Sequence, residues 1–265
     1  MINKLPNELR EFSFFVENPF CIFEKKNFLP DDTYELLRSS FPDEKIFPGY
    51  HEQGKKIFLN NKHKEFEDFI KDNIWGDFYK YFNNKDFIFF LIKLISSQLE
   101  KIENRKNLKN YTFNKKFSNS FLNKICRKLF KMINYQTVRL GFEFSIIKKE
   151  CFIPPHCDIE SKLLSLMIYF PPEKKSNLSE EYLNLGTNFY DKKADVKKNL
   201  DIWESKYLDE ENSKIFYNNY NAFYSSKFEK NKLVGFIKND KSWHDVSVFS
   251  HDFLRKSLNI NLYLE

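Results

Sequence analysis

Cysteine is scarce in this chain of 265 residues, and the few copies show no pairing pattern. The four are Cys21, Cys126, Cys151 and Cys157, and no two of them form a Cys-x-x-Cys pair. Domains that depend on disulfides carry cysteine at much higher density, so we predict a reducing compartment and no disulfide framework. A zinc site with cysteine ligands is disfavoured too, because alternation along an extended segment turns Cys157 away from His156 and Asp158.

Long apolar runs are also lacking. The most apolar stretch, residues 87–95, contains Lys93 and falls well short of the roughly 20 apolar residues that a membrane-spanning helix needs. The first residues do not show the basic-then-apolar pattern of a secretory signal. We therefore expect a soluble, cytoplasmic protein with no membrane partner.

Aromatic side chains, in contrast, are abundant. They make up 18% of the chain, and hydrophobic residues as a whole make up 42%. This is ample core material for one large domain or two small ones, so wholesale disorder is excluded.

Positive charge is concentrated in one segment. The net charge is +6, and residues 104–131 hold nine Lys or Arg and no acidic residue, interleaved with Tyr111, Phe113 and Phe117. Cations and aromatic rings together are typical of surfaces that bind single-stranded nucleic acid. No nucleic-acid-binding motif accompanies the segment, so we favour a solvated connection that ends in a helix over a nucleic-acid site.

The first half of the chain has helical periodicity. A helix is expected after Pro30, capped by Asp31 or Asp32 and ended by Pro42. Apolar residues at three- and four-residue steps predict further helices over residues 66–82 and 87–102. Residues 44–64 look polar and irregular, with His51 and His63 on the surface. Residues 1–136 are thus predicted to be a mainly helical region.

At residue 137 the hydrophobic period changes to two, which indicates strands. Further strands are expected near residues 163–170, 185–190, 220–225, 232–238, 243–246 and 255–264. Many short strands with turn residues between them favour an α+β fold, in which residues 137–265 form a double-stranded β-helix. This jelly-roll, cupin-like barrel would be integrated with the helical region packed on its sheet. The charged segment 191–216 is interpreted as an insertion on the rim, of the kind that often acts as a lid.

One short motif is the best candidate for chemistry. His156 and Asp158 are two residues apart in an extended segment, so both side chains face the same side. His244 can supply a third ligand. Two histidines and one carboxylate form the facial triad of non-haem Fe(II) oxygenases, in which positions opposite the triad stay open.

The order His156-x-Asp158, then His244, then Arg255-x-Ser257 resembles the Fe(II)/2-oxoglutarate-dependent dioxygenases, and most of all their prolyl-4-hydroxylase-like branch. The resemblance covers about residues 137–264, and residues 20–31 are similar to the strand-then-helix opening of that branch. Residues 185–187 stand where the family often has a glycine-rich strand start, although a second glycine is missing. Prolyl-4-hydroxylases proper often hold the cosubstrate with Lys, so Arg255 means that proline in a peptide is not implied.

The resemblance implies that His156, Asp158 and His244 hold Fe(II) and that 2-oxoglutarate and O2 take the remaining positions. Arg255 would bind the far carboxylate of 2-oxoglutarate bidentately, with Ser257 as a further donor. The implied reaction hydroxylates an unactivated C–H bond in a small-molecule or carrier- or nucleotide-linked substrate, with release of succinate and CO2.

Several alternatives stay open at this point. A cupin-like metal-binding isomerase or a non-catalytic binding protein would keep the barrel, and a protein or nucleobase hydroxylase would keep the chemistry. His251 competes with His244 as third ligand, but it stands only four residues before Arg255 and would crowd the cosubstrate.

Four further side chains have either a functional or a purely structural role. Trp243 and Asp245 either orient the His244 imidazole or serve packing and a surface turn. Arg139 and Glu143 either contact the substrate or lie on a solvated strand face.

Overall fold

The computed structural model describes residues 15–52, 54–99, 111–113, 136–173, 180–194, 196, 207–248, 250 and 252–265. Within these residues the chain forms two sheets and five α-helices, and every strand pair is antiparallel except the pair β4 and β5. The predicted mixture of helices and antiparallel strands is therefore confirmed. No described helix has the length and apolar character needed to cross a membrane.

The larger sheet has the strand order β1-β10-β7-β12-β5-β3-β2, with the short β4 also paired to β5. Its strands are β1 (Ile22–Lys25), β2 (Gly49–His51), β3 (Lys56–Asn60), β4 (Tyr111–Phe113), β5 (Gln136–Ile147), β7 (Lys162–Phe170), β10 (Leu233–Ile237) and β12 (Arg255–Leu264). The last strand, β12, lies at the centre, where it pairs with β5 on one side and β7 on the other. The longest strands of the protein therefore form the middle of this sheet.

The smaller sheet has the order β6-β11-β8-β9. Its strands are β6 (Ile153–His156), β8 (Asn188–Lys192), β9 (Tyr220–Ser225) and β11 (His244–Val246). Along the chain, β5 lies in the large sheet, β6 in the small sheet, β7 in the large sheet again, and β8 and β9 in the small sheet. From residue 136 onward, the sequence therefore contributes strands to both sheets.

The helices lie mostly in the first half of the chain. They are α1 (Asp31–Ser39), α2 (Lys64–Ile70), α3 (Ile74–Phe82), α4 (Lys85–Leu99) and α5 (Glu210–Asn219). The single helix predicted over residues 66–82 is in fact two, because Asn73 accepts a hydrogen bond from the Gly76 amide and starts α3 anew. The predicted cap of α1 is also wrong, since Pro30 occupies the cap position and neither Asp31 nor Asp32 caps the helix.

Residues 44–64 are not irregular as expected. They contain the hairpin of β2 and β3, and β3 extends the large sheet by pairing with β5. Together with β1, these strands come from the part of the sequence before residue 137, so that region contributes to the sheet as well as to the helices. The basic segment 104–131 lies outside the described residues apart from the backbone of β4, and much of 191–216 lies outside them too.

The large sheet has an apolar face and a polar face, as the alternation in β5 predicts. Phe142, Phe144 and Ile146 are buried in the core beneath the helices, whereas Glu143 and Ser145 point to the other side. The same alternation in β12 separates its buried leucine and isoleucine residues from a polar series that begins at Arg255. The helices therefore cover one face and leave the polar face for the interior between the sheets.

We predict that Phe144→Ala lowers the free energy of unfolding by about 3–5 kcal/mol. The ring is 1% exposed and contacts four aromatic rings, those of Phe41, Phe66, Phe69 and Trp75. Chemical denaturation checks this, and Leu36→Ala serves as control because that side chain is 57% exposed on α1. The control should change stability by less than about 0.5 kcal/mol. Equal effects of the two substitutions would contradict the packing described.

Candidate functional site

Two adjacent strands bring the predicted triad together. His156 ends β6 and lies directly opposite His244, the first residue of β11. Their ring centroids are 4.2 Å apart, and Asp158 follows two residues after β6. One ligand atom from each of the three side chains lies within 4.8 Å of the others. The spacing is that of three groups able to coordinate a single ion.

Each imidazole is held by a backbone carbonyl two residues before it. The Nδ1 atom of His156 lies 2.9 Å from the Pro154 oxygen, and the Nδ1 atom of His244 lies 2.9 Å from the Ser242 oxygen. A carbonyl only accepts, so each Nδ1 carries the proton and each Nε2 keeps its lone pair. Burial lowers the pKa of both imidazoles, and the pKa of His156 is lowered further by the neighbouring His244. Both rings are therefore neutral and ready to bind a metal.

The third member of the triad is an ionised carboxylate. Burial raises the pKa of Asp158, but the Lys162 ammonium and the two imidazoles of the triad together outweigh burial and hold the pKa well below its usual range. The Lys162 Nζ donates to Asp158 Oδ1 at 2.6 Å, and the Ser165 hydroxyl donates to Oδ2 at 3.2 Å. Two neutral imidazoles and one carboxylate form a donor set that suits a divalent transition metal such as Fe(II).

The residues beside His244 do not orient its ring. Asp245 points to the other side of β11, where its carboxylate accepts hydrogen bonds from Tyr190, Tyr217 and Asn188. Trp243 packs on Phe216 and Tyr220, which is the packing alternative. The orienting group is the Ser242 carbonyl, which sequence reasoning missed because it is part of the backbone. The competing His251 lies outside the described residues.

Arg255 is a buried cation that contacts backbone carbonyls and aromatic rings. Its side chain donates from Nε to the Leu185 carbonyl at 2.6 Å and lies near the rings of Tyr169 and Phe228. The residue is 3% exposed, and burial lowers the pKa of the guanidinium. In the part of the chain that the structure describes, no carboxylate forms an ion pair with it. A buried charge in this state is costly unless an anion from elsewhere compensates it.

Gly186 lets two backbone segments pack closely beside the site. A Cβ atom at this position would meet the Ser226 carbonyl oxygen at 1.9 Å, so a larger residue would force the two segments apart. The Gly186 carbonyl lies 3.5 Å from Arg255 Nη2.

The three triad residues and Arg255 line one cavity, with a volume of about 160 Å³. Ser257 lines it with Arg255, and Glu143 does so as well. Arg139 is not among the lining residues; it pairs with Glu265 at 2.8 Å and packs on the Tyr263 ring. Of the two substrate-contact candidates, only Glu143 is thus in position.

Sequence reasoning missed other lining residues. Among them are His51, Lys56, Lys162 and Tyr207. His51 is half-buried rather than on the surface, with its ring 5.1 Å from that of Tyr207. The only sequence signal for Lys162 is its place four residues after Asp158, and the hairpin that carries His51 and Lys56 has no clear strand pattern.

Comparison with known proteins gives weak likenesses only. No family model matches the chain, and no curated protein matches it. A prolyl-4-hydroxylase from Pseudomonas putida is similar over 92% of this chain and 93% of its own, with 9% identity and a TM-score of 0.46. A prolyl hydroxylase from Trichoplax adhaerens, in complex with a hypoxia inducible factor peptide fragment, covers 93% and 84%, with 12% identity and a TM-score of 0.43.

A third likeness is to HygX from Streptomyces hygroscopicus, a structure with nickel, 2-oxoglutarate and hygromycin B bound. It covers 91% of this chain and 82% of its own, with 8% identity and a TM-score of 0.40. At such identities and scores, the activity has to be inferred from the side chains of the site.

We predict that metal uptake releases fewer protons than two ordinary histidines would release. At pH 6, two ordinary imidazoles would together release about 1.5 protons when they bind a metal. Here burial lowers the pKa of both rings, so the release should be smaller than this value. Zn(II) titration calorimetry in buffers of different ionisation enthalpy measures the number. The variant His156→Ala/His244→Ala gives the background, and a release near the ordinary value would contradict the assignment.

Proposed function

We propose that this chain is an Fe(II)- and 2-oxoglutarate-dependent oxygenase. It hydroxylates an unactivated C–H bond of a small-molecule or carrier- or nucleotide-linked substrate and releases succinate and CO2. The observation that carries the proposal is one cavity that holds both a two-histidine, one-carboxylate triad and a buried guanidinium without an acidic partner among the described residues. A metal-chelating dianion such as 2-oxoglutarate fits both features at once.

We also assign the strands to a double-stranded β-helix. Four strands from residue 136 onward, β5, β7, β10 and β12, are neighbours in the large sheet, and the other four, β6, β8, β9 and β11, form the small sheet. This alternation of consecutive strands between two sheets supports a jelly-roll arrangement. The triad then stands on the small sheet and Arg255 on the large one, with the interior between them.

The metal would be held by His156 Nε2, His244 Nε2 and one oxygen of Asp158. These donors fit Fe(II), and the backbone carbonyls of Pro154 and Ser242 fix both rings in the tautomer that binding needs. When bound, Fe(II) supplies the redox chemistry by which the two atoms of O2 are divided between succinate and the hydroxylated product. Lys162 keeps Asp158 ionised and holds its carboxylate in place.

Arg255 would bind the far carboxylate of 2-oxoglutarate through its planar fork. Its Nε donates to the Leu185 carbonyl and its Nη2 to the Gly186 carbonyl, which fixes the plane of the guanidinium; Nη1 and the second Nη2 hydrogen can then bind the ligand. Ser257 is 3% exposed and lines the same cavity, so its hydroxyl can add a second donor. The flanking rings of Tyr169 and Phe228 exclude water, which strengthens the charge interaction. A cupin-like isomerase would leave this guanidinium without a partner.

We predict that the apoprotein, given Fe(II) and 2-oxoglutarate without oxygen, develops the weak visible charge-transfer band of a chelated pair. His244→Ala should abolish the band because it removes one of three ligands. Absorption spectroscopy under anaerobic conditions checks this. Lys214→Met is a suitable control, since this exposed lysine pairs with Glu210 on α5 and does not line the cavity. A band that persists in His244→Ala, or the absence of a band in the unchanged protein, would contradict the proposed oxygenase function.

Arg255→Ala should weaken 2-oxoglutarate binding by about 30- to 1,000-fold, since a charge-assisted, desolvated contact is worth roughly 2–4 kcal/mol. Metal affinity should stay the same, because Arg255 does not belong to the triad. Calorimetric titration of 2-oxoglutarate into the Zn(II)-loaded protein measures the first value, and Zn(II) titration measures the second. Unchanged affinity for 2-oxoglutarate would remove Arg255 from the proposed role.

A further inference from the structure

The cavity has a second polar wall that the cosubstrate does not use. It is formed by the inward face of the large sheet, where Lys56 of β3 and Glu143 of β5 pair at 2.8 Å. Asn259 of β12 lies next to them, with its amide nitrogen 3.5 Å from the Glu143 carboxylate. Asn261 continues this face two residues further along β12. We call these four residues the polar wall.

Lys56 and Asn261 of the polar wall are buried and Glu143 and Asn259 are half-buried, yet the charges of the wall are balanced. Lys56 is 6% exposed, and its ammonium is neutralised by Glu143. The other lysine of the cavity, Lys162, is neutralised by Asp158 in the same way. Neither ammonium is left over to compensate a phosphate or carboxylate group of a substrate. The wall therefore offers hydrogen bonds without offering net charge.

Some polar groups along this face have no protein partner. Asn261 is 7% exposed, and Ser145 of β5 is 2% exposed. No hydrogen bond joins either side chain to another group among the residues that the structure describes. Both side chains line the cavity, so a ligand with its own donors and acceptors can form hydrogen bonds with them. An apolar or prolyl ligand would cover these groups without offering a partner.

An apolar surface faces the triad from the side. The Tyr207 ring lies 4.5 Å from the His156 ring and also contacts His51. The carbon skeleton of a ligand can pack on this ring while its polar groups face the wall. This arrangement places C–H bonds next to the ligands of the metal.

We propose that the substrate is a neutral polyhydroxylated small molecule, seated by Lys56, Glu143 and Asn261 opposite the triad. A hydroxyl group both donates and accepts, so it can bond with the carboxylate, the ammonium and the amide of the polar wall alike. A charged substrate would find both ammonium groups already paired. This inference rests on the proposed oxygenase function and gives it a substrate class.

The test is saturation-transfer NMR on the full chain loaded with Zn(II) and N-oxalylglycine, an unreactive analogue of 2-oxoglutarate. The neutral probes are methyl α-D-glucopyranoside and myo-inositol. The opposing probes are glucose 6-phosphate, which adds charge, and N-acetylproline methylamide, which removes the hydroxyl groups. We expect saturation transfer to the neutral polyols at about 10 mM or below, and weaker transfer to the other two.

Two variants locate the binding. Asn261→Leu keeps the size of the side chain but removes its hydrogen bonds, and Glu143→Ala opens the wall. Each should weaken polyol binding about tenfold, as expected for one lost hydrogen-bonding group. Lys214→Met, which changes an exposed lysine outside the cavity, should leave binding unchanged. Thermal unfolding verifies that each variant is folded, and Asn261→Leu alone decides if Glu143→Ala does not fold.

The inference is overturned by stronger binding of the phosphate or proline probe, by no polyol binding at the stated concentration, or by polyol binding that survives Asn261→Leu. The NMR measurement on the Zn(II)-loaded chain needs no turnover, so it tests the substrate class separately from the oxygenase function. A charge-transfer band without polyol binding would reject the substrate class alone. Polyol binding without a band would reject the oxygenase and keep the polar wall as a binding site.

Discussion

The pairing of β6 with β11 is the contact on which the site depends. It sets His156 against His244 across two neighbouring strands, and the same turn of chain that ends β6 carries Asp158. Backbone carbonyls then fix both rings, so the triad is built largely from main-chain geometry. The large sheet and its helices support the wall of the cavity that lies opposite β6 and β11.

His156, Asp158, Arg255 and Ser257 could be predicted from the sequence because each pair has a local signature, whereas His244 was chosen from the order and spacing of residues that resemble the dioxygenases. His156 and Asp158 share a face at a spacing of two, and alternation along the last strand puts Arg255 and Ser257 on one side. The alternation in β5 likewise predicted which residues reach the helical core. Strongly periodic segments carry this information within a few residues, so no knowledge of the tertiary structure was needed.

The structural features that the sequence did not predict depend mostly on contacts between distant parts of the chain. The hairpin of β2 and β3 has a polar sequence because one of its faces lines the cavity, and pairing with β5 imposes strand structure that the local pattern does not favour. Lys56 pairs with Glu143 across 87 residues, which no local pattern reveals. The break between α2 and α3 is different, because it follows from a capping residue, Asn73, that apolar periodicity ignores.

The way Arg255 is held has a consequence for selection among cosubstrates. Its guanidinium is fixed by the carbonyls of residues 185 and 186 and by two rings, and the triad is fixed by paired strands. Neither the metal site nor the Arg255 guanidinium can move toward the other without disturbing the backbone. In the proposed enzyme, the fixed distance between these two binding points selects the length of the 2-oxo dicarboxylic acid that can bind. A homologue one methylene shorter or longer would meet only one of the two points.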